Sequence, residues 1–133
     1  QFLYFIGDIR PAVIGGEPTE SAEERLRNLI SSETLDDIIE PYLKEHYFHA
    51  TFLYNVRTKP HTAPEAARMI RHAVRMHGWV MAPAHTRNHW ATAIFAYNEN
   101  NHHGVVSYIF DSAPSPMTFR DWDKLIASMG FAA

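Results

Sequence analysis

Two apolar segments in the second half of the chain predict an antiparallel hairpin with polar side chains at two neighbouring strand ends. The first segment, Ala91–Tyr97, follows His89 and Trp90, and the second, Val105–Phe110, runs directly into Asp111. The polar loop between them ends in glycine, which is typical of a hairpin connection. Because antiparallel neighbours place the start of one strand beside the end of the next, we expect His89 and Asp111 to lie together.

This arrangement of His89 and Asp111 predicts acid–base chemistry. A general base needs a fixed ring and a pKa near the working pH, and a free histidine starts near ~6.5. If Asp111 accepts the Nδ1 hydrogen of His89, it holds the tautomer of the ring and stabilises its protonated form. Taken singly, His89 is also consistent with a solvated residue of a loop. Asp111 is also consistent with a turn cap, because Asp-Ser-Ala-Pro is a sequence that favours turns. Their joint placement favours the catalytic interpretation.

The sequence supplies no clear nucleophile for this pair. It contains no cysteine, which also excludes disulfides and thiolate metal sites. Ser112 and Ser115 are the nearby hydroxyls, but neither lies in a Gly-x-Ser-x-Gly elbow. Ser112 also adjoins the carboxylate that would orient His89, on the wrong side of the ring for attack. The predicted site is therefore incomplete.

The histidines do not predict a metal site. There are nine, and His85 with His89 has the four-residue spacing of a helical metal pair. Pro83 precedes that stretch, however, no Glu follows His85, and a third ligand is not evident. His102 and His103 fall in the polar hairpin loop, where solvation is expected. We therefore expect neither a metal nor another cofactor.

Composition predicts one globular domain over residues 1–133, with an N-terminal strand and loop at 1–18 and a core at 19–133. The chain is 46% hydrophobic and 20% charged, which is ordinary for a folded protein. The formal net charge of −3 gives no case for nucleic acid or an anionic membrane surface as a partner. No apolar run approaches the roughly 18 to 20 residues of a spanning helix.

Periodicity and turn signals predict an α+β fold, with an antiparallel-rich mixed sheet and packed helices. Pro41 should kink or end the second helix, and Pro83 should end a short strand. The predicted strands are Gln1–Ile9, Thr51–Val56, Trp79–Ala82, Trp90–Tyr97 and Val105–Phe110. The predicted helices run from Thr19 or Ser21 to Ile30, from Ser32 or Thr34 to Leu43, and over Pro64–Met76 and Thr118–Met129.

Three segments resemble the SUMO- and NEDD8-protease (Ulp-type, adenain-like) family of cysteine peptidases. Residues Thr34–Leu43 resemble the family's helix motif, approximately Trp-Leu-Asn-Asp-x-x-Ile-x-x-Tyr-Leu, with Thr in place of Trp and an unexpected Pro. The strand Trp79–Pro83 followed by His89-Trp90 is similar to the next part of the family pattern. Tyr108–Ser112 matches a strand that ends in Asp-Ser. The resemblance spans residues 34 to 112.

The resemblance implies a cysteine-protease (papain/adenain-like) fold with His89 as base and Asp111 as its orienting acid. Trp90 would help to shape a channel for a Gly-Gly tail, and Trp79 and Asp36 are further candidates for substrate binding. The implied partner is a protein, either a ubiquitin-like modifier or another polypeptide. An intracellular location, cytoplasm or nucleus, is the corresponding expectation.

The chain departs from the family pattern after Asp111. The family's oxyanion Gln and nucleophilic Cys follow that Asp, and the remaining residues contain neither. The chain can be the His/Asp portion of a site completed by a missing C-terminal segment or another subunit, or a non-catalytic binding or structural module. Yop-type acetyltransferases share the fold and a similar order, so even a complete site leaves the reaction open. The apolar face beside Trp79, Trp90 and Phe110 should lack cover unless the helix Thr118–Met129 fills it.

Overall fold

The structure, a computed structural model, describes residues 30–86, 89–98, 100 and 104–131. It is an α+β arrangement, as predicted, of four α-helices and three strands. The elements in chain order are α1 (Ser32–Leu43), a 3-10 turn (Lys44–His46), α2 (Thr51–Thr58), a 3-10 turn (Pro60–Thr62), α3 (Ala63–His77), β1 (Trp79–Thr86), β2 (His89–Tyr97), β3 (Val105–Phe110) and α4 (Pro116–Ser128). The predicted strand Gln1–Ile9, the predicted helix before Ile30 and the pair His102-His103 lie outside the described residues.

The sheet has the order β1-β2-β3, and both strand pairs are antiparallel. The predicted hairpin is confirmed, with Thr92 opposite Phe110 and Tyr97 opposite Val105. The described strands do not form the mixed sheet that was expected. Parallel pairing among the described residues is limited to an isolated bridge between Tyr47 and Met81.

The two faces of the sheet bury different hydrophobic cores, because side chains alternate along each strand. The larger core joins one face to α2, α3 and α4, and includes Leu53, Ile70, Val80, Phe95, Trp122 and Ile126. The smaller core joins the opposite face to α1 and includes Leu35, Ile39, Tyr47, Ala50 and Met81. The strand β2 contributes to both cores and is the centre of the molecule.

The predicted strand Thr51–Val56 is wrong, because these residues form the helix α2. Aromatic and β-branched content favoured a strand, but Leu53 and Val56 are both buried. Three residues apart, they share one face of a helix and would fall on opposite faces of a strand. Packing of that face against the larger core therefore outweighs the local β propensity.

The element boundaries predicted at the two prolines need correction. The helix α1 continues through Pro41 and ends at Leu43, two residues beyond the proline, with Lys44 as its C-cap at φ 43°. The strand β1 continues through Pro83 to Thr86. The carbonyl of Met81 faces the outer side of β1, where it accepts from the Phe48 N–H at 2.8 Å. Pro83 lies two residues further and so turns its nitrogen to the same outer edge, where no ladder bond is lost.

Candidate functional site

The structure brings His89 and Asp111 together at one end of the hairpin. His89 is the first residue of β2, and Asp111 directly follows β3. The imidazole Nε2 lies 2.6 Å from the carboxylate Oδ1, so the expected contact is present. An ionised carboxylate can only accept, so His89 donates its Nε2 hydrogen to Asp111.

The nitrogen in contact differs from the expectation that Asp111 accepts from Nδ1. Continuing the register of the hairpin puts Asp111 opposite Ala91, so His89 and Asp111 are diagonal neighbours. Diagonal positions are roughly 7 to 8 Å apart, and the far nitrogen of the ring spans that gap better than the near one. The Nδ1 of His89 is consequently the nitrogen left to exchange a proton with another group.

The carboxylate of Asp111 is held as an anion. Its side chain is 1% exposed, whereas that of His89 is 34% exposed. Burial by itself raises the pKa of Asp111, but hydrogen bonds from His89 and from the Ala113 N–H, at 2.9 Å from Oδ1, outweigh it and lower the pKa below its usual value. The Thr118 side chain lowers that pKa further. Oδ2 is buried without a partner among the described residues.

The hydroxyl of Ser115 is used as the N-terminal cap of α4. That hydroxyl caps the helix by accepting from the Thr118 N–H at 3.2 Å, and it lies 3.1 Å from the Thr118 hydroxyl. A cap at this position explains why α4 begins at Pro116, two residues earlier than predicted. Ser112 lies in an exposed bend immediately after Asp111. Neither serine has the setting of an activated nucleophile.

Trp90 forms a wall of an open cavity of about 280 Å³. Its indole N–H donates to the Ile30 carbonyl at 2.8 Å, which fixes the ring. The ring of His85 meets Trp90 edge-on at 4.8 Å between centroids, and it also meets the Tyr54 ring edge-on at 5.8 Å. The remaining lining includes Ser31, Ser32 and Thr51. The cavity is thus mostly apolar, with hydroxyl groups from the start of α1 and α2 at its walls.

The electrostatic setting of His85 keeps its ring neutral. Burial lowers the pKa of His85, and electrostatic interactions with Arg57 and His89 lower it further. The Arg57 guanidinium donates to the Nδ1 of His85 at 3.2 Å and also lies over the Tyr54 ring, 5.4 Å from its centroid. The sequence analysis missed this group, because residues 54, 57 and 85 are distant in sequence and the helix α2 that presents two of them was predicted as a strand.

Asp36 holds two segments of the fold together through hydrogen bonds. Its Oδ1 accepts from the Tyr47 hydroxyl at 2.5 Å and from the Ala50 N–H at 2.7 Å. Burial, and then donation to Asp36, raises the pKa of the Tyr47 hydroxyl, so it stays a donor. The carboxylate thus ties α1 to the segment before α2, beside the cavity wall formed by Ala50. Its role in substrate binding stays a prediction.

Trp79 lies at a separate feature, an apolar groove of about 570 Å³ on the α1 side of the sheet. Its ring stacks on His46, with centroids 4.2 Å apart. The groove extends across the sheet to Asp111 and is also lined by Met81, Ile94, Phe110 and Phe119. The helix α4 contributes Phe119 to the lining but does not cover the groove, because Trp122 and Ile126 pack in the larger core on the opposite face. Within the described residues the expected apolar face is therefore open beside Trp79 and Phe110.

His85 and His89 do not form a metal pair, because they lie on neighbouring strands and their side chains belong to opposite faces of the sheet. In residues 30–86, 89–98, 100 and 104–131, no three His, Asp or Glu side chains are placed to hold a metal ion.

Over the same ranges, no helix combines the length and apolar character needed to cross a membrane. No protein-family model, curated protein or solved structure matches this chain.

Proposed function

We propose that this chain is the His/Asp portion of a cysteine-peptidase-like domain that resembles the Ulp-type peptidases and binds a polypeptide. The observation that carries the proposal is the 2.6 Å contact between Nε2 of His89 and Oδ1 of Asp111. The chain lacks the thiol that such a site needs. A missing C-terminal segment or another subunit would have to supply it.

The geometry supports a definite division of roles. Asp111 is buried and anionic, so it stabilises the imidazolium that forms when His89 takes a proton. One-third of the His89 side chain is exposed, and its Nδ1 is the nitrogen available to an incoming thiol. That thiol would lose its proton to Nδ1 and attack a peptide or isopeptide carbonyl, and His89 would return the proton to the leaving amine.

The cavity beside Trp90 is the proposed place for the polypeptide. A volume of about 280 Å³ accommodates a few small residues rather than a folded surface. Aromatic walls contact the flat peptide groups of a chain that lacks side chains, and the hydroxyls of Ser31 and Thr51 can bond its backbone. A Gly-Gly tail of a ubiquitin-like modifier satisfies these requirements.

Binding of such a tail is the test of this function. A ubiquitin-like protein with its Gly-Gly end should bind the chain, as measured by NMR titration, and the same protein without those glycines should not. Trp90→Ala should abolish binding, while Met76→Ala, which changes an exposed residue of α3, should leave it intact. Equal binding of both forms would contradict the proposal.

A second candidate is a binding or structural module without catalysis. It is supported by the absence of cysteine and by the use of the Ser115 hydroxyl as a helix cap. The reading frame of the gene past Ala133 distinguishes the two. A Gln followed by Cys-Gly in the family order supports the peptidase, and a stop codon directly after Ala133 supports the module.

A further inference from the structure

The outer edge of β3 carries backbone groups without partners. Tyr108 and Phe110 pair with Ile94 and Thr92, and the Asn98 N–H donates to the Gly104 carbonyl at 3.1 Å, which shows that the even-numbered residues of β3 direct their backbone groups to β2. Alternate residues face opposite sides of a strand. The N–H and C=O groups that point outward belong to Val105, Ser107 and Ile109, and within the described residues none of them is hydrogen-bonded.

The opposite edge of the sheet, along β1, is blocked. The Phe48 N–H donates to the Met81 carbonyl at 2.8 Å, and the His46 Nδ1–H donates to the Trp79 carbonyl at 2.8 Å. Pro83, the next residue that faces outward, has no N–H to offer. Among the described residues, a further strand can therefore add along the whole of β3, whereas along β1 the outward carbonyls of Trp79 and Met81 are already used and Pro83 offers no donor.

The sequence of β3 has none of the features that protect exposed edge strands. The six residues Val105–Phe110 include no charged residue and no proline, and their pairing with β2 is continuous, without a bulge. Tyr108 is 48% exposed and Phe110 is 53% exposed, both on the face that carries the apolar groove. Natural edge strands usually carry charges, prolines or bulges that prevent pairing with another chain. An apolar edge without them is suited to pairing.

We propose that β3 pairs antiparallel with β3 of a second copy of this chain, across a two-fold axis at Ser107. In this register Val105 lies opposite Ile109 of the second copy, and Ser107 lies opposite its own counterpart. Every outward backbone group between Val105 and Ile109 then gains a partner, for about six hydrogen bonds at two per pair. Tyr108 lies beside Val106 of the second copy, an aromatic and β-branched pair of the kind that stabilises sheets.

The occupant is a second copy because the edge is complementary to itself. Its donors and acceptors match those of an identical antiparallel strand, and it exposes no charge that would repel or select another partner. The blocked edge of β1 stops further addition, so the assembly closes at two copies with one six-stranded sheet. Such a two-fold contact, in which both copies use the same patch, is the commonest form of protein dimer.

Sedimentation equilibrium of the whole 133-residue chain, from low to high micromolar concentration, tests the proposal. The chain should reach a dimer and no larger species. Ser107→Pro removes one outward N–H and leaves the bonds to β2, so it should raise the dissociation constant about tenfold or more. Ser107→Ala keeps that N–H and should dimerise like the parent chain.

A second pair of variants covers the case in which Ser107→Pro does not fold, as judged by circular dichroism. Tyr108→Lys places a charge in the contact, one residue from the two-fold axis, and should weaken the dimer about tenfold or more. Met76→Lys adds the same charge at a residue of α3 that is 63% exposed, and should have no effect. A monomer at every concentration, open-ended polymers, or a dimer that Tyr108→Lys and a folded Ser107→Pro do not weaken would overturn the proposal.

Discussion

The Oδ1 oxygen of Asp111 accepts from Nε2 of His89 across the hairpin, two residues out of direct register. The same oxygen accepts from the Ala113 N–H, so one atom both orients the imidazole and closes the turn after β3. The turn interpretation and the acid–base interpretation of Asp111 are therefore compatible. The turn fixes the carboxylate, and the fixed carboxylate fixes the ring.

Acid should destabilise the protein through Asp111. Its folded pKa is below the usual value, so its contribution to stability is present above the unfolded pKa, about 3.9, and is lost as pH falls through the folded pKa. Thermal melts between neutral pH and pH ~2.5 should show this loss. Asp111→Asn should melt lower at neutral pH and show a smaller fall with acid. Parallel curves of melting temperature against pH for the two proteins would mean that the folded pKa of Asp111 is not lowered.

The bond between Tyr47 and Asp36 should contribute to stability. Tyr47→Phe keeps the buried ring but removes the donor 2.5 Å from the carboxylate, and should cost about 1.5 to 3 kcal/mol, the usual range for a hydrogen bond to a charged group. Tyr42→Phe, at a residue that is 84% exposed, is the matched control and should cost little. Urea unfolding measures both. Equal effects would show that the bond is not maintained in solution.

Local signals were sufficient for the elements that form the His–Asp contact. The strands β2 and β3 follow from two apolar segments joined by a polar loop, and their antiparallel pairing brings His89 to Asp111. The choice of ring nitrogen could not be predicted in this way, because it depends on the diagonal offset between the two residues. The helix α2 was missed because its burial against α3 and the sheet is a tertiary effect that overrides β propensity.

Features formed by residues that are distant in sequence could likewise not be predicted from local sequence patterns. The cavity beside Trp90 combines the start of α1, the start of α2 and the end of β1. No periodicity in one segment indicates that Tyr54 and His85 will share a wall. The turn Asp-Ser-Ala, by contrast, does predict a backbone N–H two residues after Asp111, and Ala113 supplies it.

Removal of the Ser107 hydroxyl should not destabilise the folded chain. The residue is 8% exposed, and its Oγ is buried without a hydrogen-bond partner among the described residues. A buried hydroxyl that makes no bond costs about 1 to 3 kcal/mol of desolvation, and alanine removes that cost at the expense of a small cavity. Ser107→Ala should therefore leave the free energy of unfolding unchanged or raise it. A clear loss would reveal a partner for this hydroxyl, and unfolding should be measured below the dimerisation range to separate the two effects.

The isolated chain should form no covalent adduct with a probe that carries an electrophile at the end of a ubiquitin-like protein. Covalent capture needs an activated nucleophile, and the chain has no thiol, while the Ser115 hydroxyl caps α4 and Ser112 lies in an exposed bend. Intact-mass spectrometry after incubation should show the unmodified chain, even where the same protein binds without reacting. Labelling of Ser112 or Ser115 that His89→Ala abolishes would instead show that one of these serines acts with His89. Labelling that persists in His89→Ala would reflect exposure of the serine and not the His–Asp pair.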